Sequence, residues 1–134
     1  MADSQASRDP ELAERAGAVF DMARTGDTAR LAAYVDSGVS ADLADGKGDT
    51  LLMLAAYHGH VSAVRMLLEH GADPNVLNGR GQSPLAGAVF KAEAEVVRTL
   101  LDGGADPEIG VPSATETARM FEQAKFLAWF RPSS

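Results

Sequence analysis

Residues 45 to 77 of the 134-residue chain read DGKGDTLLMLAAYHGHVSAVRMLLEHGADPNVL, and this stretch decides the fold. The next 33 residues, 78 to 110, read NGRGQSPLAGAVFKAEAEVVRTLLDGGADPEIG, and twelve of the aligned positions are identical without a gap. Glycines, a Leu-Leu pair and a Gly-Ala-Asp-Pro ending recur in phase. A fixed period of this length predicts stacked copies of one unit, each burying its apolar face against its neighbours.

Each copy has the pattern of two helices separated by a break. In the first copy, Thr50 is placed to cap a short helix, and Gly59 separates that helix from the next. In the second copy, Ser83 takes the capping position and Pro84 falls in the first helical turn, where proline is favourable. The second helices carry apolar faces at helical spacing, formed by Val61, Val64, Leu67 and Leu68 and by Ala94, Val97, Leu100 and Leu101.

These segments resemble a known family. GDTLLMLAAYHGH and GQSPLAGAVFKAE are similar to the opening of an ankyrin repeat, roughly G-x-TPLH-x-AA-x-x-GH, and VRMLLEHGADPN and VRTLLDGGADPE are similar to its second half. The copies read TLLM and SPLA, so both lack the histidine of the family's TPLH motif. The resemblance implies an all-α ankyrin-repeat solenoid of about four stacked helix-turn-helix units joined by hairpin-like loops. It also implies a non-catalytic, protein-binding role.

The flanking regions are in phase with the two regular copies. Gly26 and Gly38 match Gly59 and Gly71, and Asp9-Pro10 has the composition of a helix start. Terminal repeats cover the ends of the core and face water, so divergence is expected there. We therefore expect one domain over residues 10–130, with repeats at 10–44, 45–77, 78–110 and 111–130, a disordered segment 1–9 and a frayed tail 131–134.

Composition narrows the classes of partner. The net charge is −7, and the sequence has no basic stripe that would neutralise phosphates, so a nucleic-acid partner is not expected. The acidity fits either solubility or a preference for a basic partner surface. The longest apolar run, 51–57, is too short to cross a bilayer, and the first residues lack the features of a secretory signal. We expect no membrane partner and a cytoplasmic location.

In ankyrin repeats, the inter-repeat loops and the concave side of the first helices together form the usual binding surface. Carrying those positions onto this sequence predicts a set of partner-binding residues: Arg24, Lys47, Asp49, Met53, Tyr57, His58, Arg80, Gln82, Phe90 and Lys91. In the last repeat, Gln123 and Ala124 are expected to fall in phase with Tyr57 and His58.

Tyr57 and Phe90 lie one period apart, so stacking should place them side by side. Exposed aromatics beside cationic side chains are typical of an interface hot spot; alternatively, the rings pack on each other and stiffen the concave face. Lys47 and Arg80, also in phase, indicate either solvated turns or a polar rim around the aromatic pair.

The terminal aromatics leave two interpretations open. Phe121, Phe126, Trp129 and Phe130 either cover the open end of the core or form an exposed patch for dimerisation. We expect them to cover the core and the protein to be a monomer.

No catalytic or cofactor constellation is predicted. His58, His60 and His70 are the only histidines and the chain has no cysteine, so a four-coordinate zinc site is not expected. At His60, a hydrogen bond to the neighbouring loop is the simpler role. The GKGDT segment around Lys47 lacks the upstream glycine of a phosphate loop. We expect no enzyme and no cofactor; the alternative to a protein-binding module is a small-ligand-binding or self-associating structural protein.

Overall fold

The computed structural model describes the backbone of residues 10–131 and the side chains of residues 17–131. The described part of the chain forms eight helices: α1 (Pro10–Thr25), α2 (Thr28–Asp36), α3 (Leu51–Tyr57), α4 (Val61–Glu69), α5 (Pro84–Phe90), α6 (Ala94–Asp102), α7 (Ala114–Met120) and α8 (Ala124–Phe130). The expected cap at Asp9, the disordered segment 1–9 and residues 132–134 of the expected frayed tail lie outside the described residues. None of the described helices is long and apolar enough to span a membrane.

The helices stack as four antiparallel pairs in two rows. The first helices of the pairs form one row, in which α1 packs on α3, α3 on α5 and α5 on α7. In the second row α2 packs on α4 and α4 on α6. This is the predicted all-α solenoid, and it leaves one side of the first row open along its length.

A continuous core fills the space between the rows. The repeated leucines Leu52 and Leu85 are 1% exposed, and the repeated alanines Ala55 and Ala88 have no exposed surface. Small residues at the alanine positions let neighbouring helices approach closely, while each buried leucine contributes roughly 1.5–3 kcal/mol through burial. The core therefore follows the period of the sequence.

Hydroxyl side chains cap the short first helices. Thr50, Ser83 and Ser113 accept hydrogen bonds from backbone N–H groups three residues later, at 3.1, 3.0 and 3.1 Å. Before α7 the cap is reciprocal, because the Glu116 carboxylate accepts a hydrogen bond of 2.8 Å from the Ser113 N–H. The predicted caps at Thr50 and Ser83 are confirmed.

The turn inside each pair needs one residue in the left-handed region. Gly26 and Gly59 take φ values of 77° and 78° there, but Ala92 and Glu122 occupy the equivalent places at 57° and 55°. A residue with a Cβ is disfavoured in this conformation, so the third and fourth turns are strained relative to the first two.

The last pair is out of phase with the 33-residue period. Ser83 follows Thr50 by 33 residues, but Ser113 follows Ser83 by only 30, because the loop between α6 and α7 is three residues shorter. The expectation that Gln123 and Ala124 match Tyr57 and His58 is therefore wrong. Gln123 instead precedes α8 as its N-cap residue.

Candidate functional site

The open side of the first row is a groove with a volume of about 590 Å³. It runs from the end of α1 across α3 and α5 to α7, and the two loops that precede α3 and α5 form one of its walls. Among the described residues it is lined by Arg24, Asp45, Lys47, Asp49, Met53, Leu54, Tyr57, His58, Asn78, Arg80, Gln82, Ser83, Ala86, Gly87, Phe90, Pro112, Thr117, Met120 and Phe121. Nine of the ten predicted binding residues belong to this set. The tenth, Lys91, lies beside it.

The floor of the groove is apolar and well packed. Met53 and Ala86 are 7% exposed, and they occupy the places where the family's TPLH motif has its histidine. At the ends of α3 and α5, Tyr57 and Phe90 remain 39% and 52% exposed. Large apolar side chains left in water along a packed floor are typical of a binding surface.

Tyr57 and Phe90 each pack against a different ring, so the structure does not support the alternative in which these two rings pack on each other. The Phe90 ring meets Phe121 edge to face, with centroids 5.4 Å apart and an interplanar angle of 78°. Tyr57 meets the His58 ring edge to face at 5.4 Å, and the Lys91 ammonium lies 5.0 Å from the Tyr57 centroid. These contacts hold both rings in place while leaving part of each exposed.

Sequence reasoning missed the contribution of α7. Met120 and Phe121 are 62% and 50% exposed and line the groove beside Phe90. The 33-residue period placed these residues out of phase, so they were not assigned to the binding surface. The signal that could have set the register is Ser113 followed three residues later by Glu116, a capping box that marks the start of α7.

Polar side chains fix the loops of the groove wall. The Asp45 carboxylate accepts hydrogen bonds from the N–H groups of Lys47 and Asp49, at 2.9 and 3.0 Å. In the next loop, Asn78 accepts equivalent bonds from Arg80 and Gln82, at 2.9 and 3.0 Å. Both loops therefore adopt the same hydrogen-bonded turn, in which Lys47 and Arg80 take equivalent places.

The two loops also bind each other. The Asn78 amide donates to Asp49 Oδ1 and to Gln82 Oε1, both at 2.8 Å, and the Gly79 N–H donates to the Lys47 carbonyl at 2.9 Å. Asp49 and Gln82 were predicted to contact a partner. In the structure, one side-chain oxygen of each already accepts a hydrogen bond from Asn78 within the groove wall. Gly48 permits this approach, because a Cβ there would lie 2.8 Å from the Gly79 nitrogen.

The histidines have separate roles. His60 makes a hydrogen bond to the preceding repeat, but to the end of a helix and not to a loop as expected: its Nε2 donates to the Arg24 carbonyl across 2.7 Å and so ties the start of α4 to the last turn of α1. His58 lines the groove, where burial, His60, Lys91 and Arg24 all lower its pKa from 6.5. His70 lies away from the groove, with Nε2 2.9 Å from Asp36. Within residues 17–131 no cluster of metal-ligating side chains is present.

Comparisons with known proteins agree with this architecture. A family model for three ankyrin repeats matches residues 19–110. An ankyrin repeat protein of Pseudomonas aeruginosa is 45% identical over 58 residues, which are 43% of this chain and 34% of that protein. Human ankyrin repeat domain-containing protein 29 is 48% identical over 54 residues, which are 40% of this chain and 18% of that protein. The alignments thus span about a third of the bacterial relative and about a fifth of the human one.

A solved structure has the same fold. The crystal structure of the human ASB11 ankyrin repeat domain superposes with a TM-score of 0.74 at 26% sequence identity, covering 84% of this chain and 52% of that chain. Ankyrin repeats are generally protein–protein interaction modules and are typically not enzymes. Because the family model covers more than half of the chain and the helix pairs repeat over the same residues, the chain belongs to the ankyrin repeat family.

Proposed function

We propose that this protein is a non-catalytic interaction module that binds one protein partner in the concave groove and thereby masks or regulates it. One observation carries the proposal: apolar side chains from three successive repeats remain exposed along the same groove. They are Tyr57 (39%), Phe90 (52%), Met120 (62%) and Phe121 (50%). Aromatic side chains that a folded chain leaves exposed on a rigid surface are the commonest anchors of protein interfaces.

The groove suits binding because little of it has to be ordered when a partner arrives. Tyr57 and Phe90 stand at the ends of short helices whose positions are set by the buried floor beneath them. Their ring contacts further limit rotation, and the loop wall is fixed by its own hydrogen bonds. A preorganised surface of this kind loses little conformational entropy on association, so more of the contact energy appears as affinity.

The polar groups of the wall complete the expected anatomy of an interface. Lys47, Arg80 and Gln82 are exposed beside the apolar row. A rim of exposed polar side chains around an apolar centre excludes water from the anchors while contributing less energy itself.

The experiment is affinity capture from a lysate of the source organism, with bound proteins identified by mass spectrometry. Wild type is compared with the double variant Tyr57→Ser/Phe90→Ser. Val111→Ser is the matched control, because Val111 is 79% exposed but does not line the groove. Circular dichroism verifies that all three proteins keep the same helix content. A partner captured by wild type and by the control, but not by the double variant, is the expected result.

Calorimetry with the purified partner then measures how much binding affinity the double variant loses. Hot-spot aromatics typically contribute about 2 kcal/mol each, so the double variant should bind roughly a hundredfold to a thousandfold more weakly. Equal affinity of the wild type and a correctly folded double variant would show that the partner binds elsewhere.

Self-association has less support in the structure. Phe126 is 2% exposed, and Trp129 and Phe130 are half-buried against the core. Trp129 is also covered by the Arg98 guanidinium, 4.2 Å from the ring centroid. These contacts favour the interpretation that three of the four terminal aromatics, Phe126, Trp129 and Phe130, close the core; the expectation is wrong for Phe121, which is 50% exposed and lines the groove. Light scattering over a concentration range tests the expected monomer, and a persistent dimer would contradict it.

A further inference from the structure

The groove carries the opposite charge to the rest of the chain. The protein has a net charge of −7, but the groove is lined by three permanently cationic side chains, Arg24, Lys47 and Arg80, and by two carboxylates, Asp45 and Asp49. Lys91 adds a fourth cation at its edge, above Tyr57. The excess of cations is small in number, so it matters which of these charges face outward.

The two carboxylates of the groove face their own loops. Asp45 Oδ1 accepts hydrogen bonds from two backbone N–H groups, and Asp49 Oδ1 accepts one from the Asn78 amide. Both residues are half-buried. Donors that converge on a carboxylate stabilise its negative charge locally, so less of the charge is available to a molecule in the groove.

The cations, in contrast, are open to solvent on the groove side. Lys47 and Arg80 are exposed, and neither has a carboxylate within ion-pair distance among residues 17–131. Arg24 is half-buried and pairs with Asp21 at 2.7 Å, so its charge is partly compensated. Lys91 lies over an aromatic face, which leaves its ammonium able to donate to a further acceptor.

Acidic residues concentrate at another edge of the solenoid. Each of the first three second helices ends in an exposed carboxylate, at Asp36, Glu69 and Asp102. Asp73 and Asp106 follow in the next loops, and none of the five lines the groove. The five exposed carboxylates thus lie away from the groove, whereas the exposed cations Lys47 and Arg80 lie on the loops that line it, beside the hydrogen-bonded Asp45 and Asp49.

The pKa of His58, which lines the groove, is lowered by burial and by nearby charged groups. The charged groups that act on it, after burial, are His60, Lys91 and Arg24, and all of them lower its pKa. Burial is the largest cause of the lowered pKa, and Lys91 and Arg24 add to it because nearby positive charge disfavours the protonated ring.

From this separation of charge we infer that the occupant of the groove is an acidic peptide segment with apolar side chains. This inference rests on the proposed function and adds the chemistry of the partner. Leucine, phenylalanine or similar side chains would pack on Tyr57, Phe90 and Phe121, while flanking aspartate or glutamate would face Lys47 and Arg80. Complementary charge suppresses wrong partners and speeds association. The net acidity of the chain had left open either solubility or a preference for a basic partner surface; the local charge of the groove points to an acidic partner.

A phage-displayed library of random peptides, about 12 residues long, tests the inference at low ionic strength. Selection uses the wild-type protein, and the folded Tyr57→Ser/Phe90→Ser variant serves as the counter-selection target. Peptides enriched only on wild type are groove-dependent, and their mean net charge is the readout. The expected result is net negative charge together with enrichment of large apolar residues.

Selected peptides are then measured against charge variants. Lys47→Glu/Arg80→Glu should weaken acidic peptides about tenfold, and the difference should shrink in about 0.5 M salt, since the charges concerned are exposed. The matched control is Arg65→Glu/Arg119→Glu, which makes the same change in total charge at exposed residues outside the groove lining. It should leave the affinity unchanged.

The outcomes separate the two proposals. Groove-dependent peptides that are neutral or basic would overturn the acidic partner and leave the proposed binding groove intact. An equal loss of affinity in the control variant would also overturn it, because total charge and not groove charge would then be responsible. A selection that yields no groove-dependent peptides would contradict the proposal that the groove is the binding site. The proposal of an acidic partner would then fail as well.

Discussion

Replacing Ala92 by glycine is expected to stabilise the protein. Ala92 sits in the turn between α5 and α6 with φ at 57°, in the left-handed region where residues with a Cβ are strained. Gly26 and Gly59 occupy the equivalent places in the first two turns, so the backbone of this fold accepts glycine there. The substitution removes the strain without changing a core contact, because Ala92 is exposed.

The magnitude follows from two opposing terms. The left-handed conformation destabilises a residue with a Cβ by roughly 1–2 kcal/mol. Glycine loses more conformational freedom on folding than alanine does, which offsets about 0.5–1 kcal/mol of the gain. The net expectation for Ala92→Gly is an increase of about 0.5–1 kcal/mol in the free energy of unfolding.

Urea denaturation followed by circular dichroism measures this change. Ala33→Gly is the matched control, because Ala33 is exposed in the ordinary helical backbone of α2. There glycine should lower the free energy of unfolding by about 1 kcal/mol. Opposite signs for the two substitutions are required; if Ala92→Gly destabilised the protein as much as Ala33→Gly, the strain argument would be refuted.

Three further predictions concern a cap and two histidines. Thr50→Ala should lower the free energy of unfolding by about 1 kcal/mol by removing the cap of α3, whereas Thr50→Ser should retain most of it; urea denaturation of both variants checks this. The pKa of His70 should lie above 6.5, because the Met66 carbonyl and the Asp36 carboxylate both accept from its ring; its stabilising contribution is complete below pH 6.5 and is lost as the pH rises through the folded pKa. An NMR titration in which Asp36→Asn left this pKa unchanged would contradict that account. The pKa of His58 should lie below 6.5, chiefly through burial, so stability should decrease as the pH falls below 6.5; a His58 pKa at or above that value in the same titration would refute it.

The fold of the two middle repeats was predictable because their sequence pattern is redundant. Leu52 and Leu85 recur in phase, and both are buried at the same place in successive units. The caps at Thr50 and Ser83 could be read from residue type and position alone. In these repeats the local capping residues and the 33-residue period predict the same helices, so each prediction supports the other.

The phase of the last repeat could not be read from the same pattern. No Gly-Ala-Asp-Pro ending follows α8 within the sequence, so nothing anchored the period after Pro107. The loop that leads to Ser113 is three residues shorter than its counterpart before Ser83, and a shift of three residues moves Phe121 onto the groove. The length of a loop can differ between repeats, whereas the stacking of the helix pairs requires their packing to stay the same.

The internal bonding of the groove wall was not predictable from the sequence. The period indicated which loop residues take equivalent places in successive repeats. The period did not reveal that Asn78 donates to both Asp49 and Gln82. An asparagine amide can donate to a neighbouring loop or to a bound partner equally well, so its residue type does not decide between them. Only the geometry of the two loops distinguishes these roles.

The close approach of the two loops has a consequence for retargeting the protein. A Cβ on Gly48 would lie 2.8 Å from the backbone nitrogen of Gly79, and one on Gly79 would lie 3.0 Å from the carbonyl of Lys47. Gly48, with φ at 82°, therefore cannot take a side chain without a shift of the backbone, and a side chain at Gly79 would make a tight contact, whereas the side chains of Lys47 and Arg80 are exposed on the same loops. A combinatorial library that randomises Lys47 and Arg80 while fixing both glycines could therefore change recognition without loosening the stack that presents it.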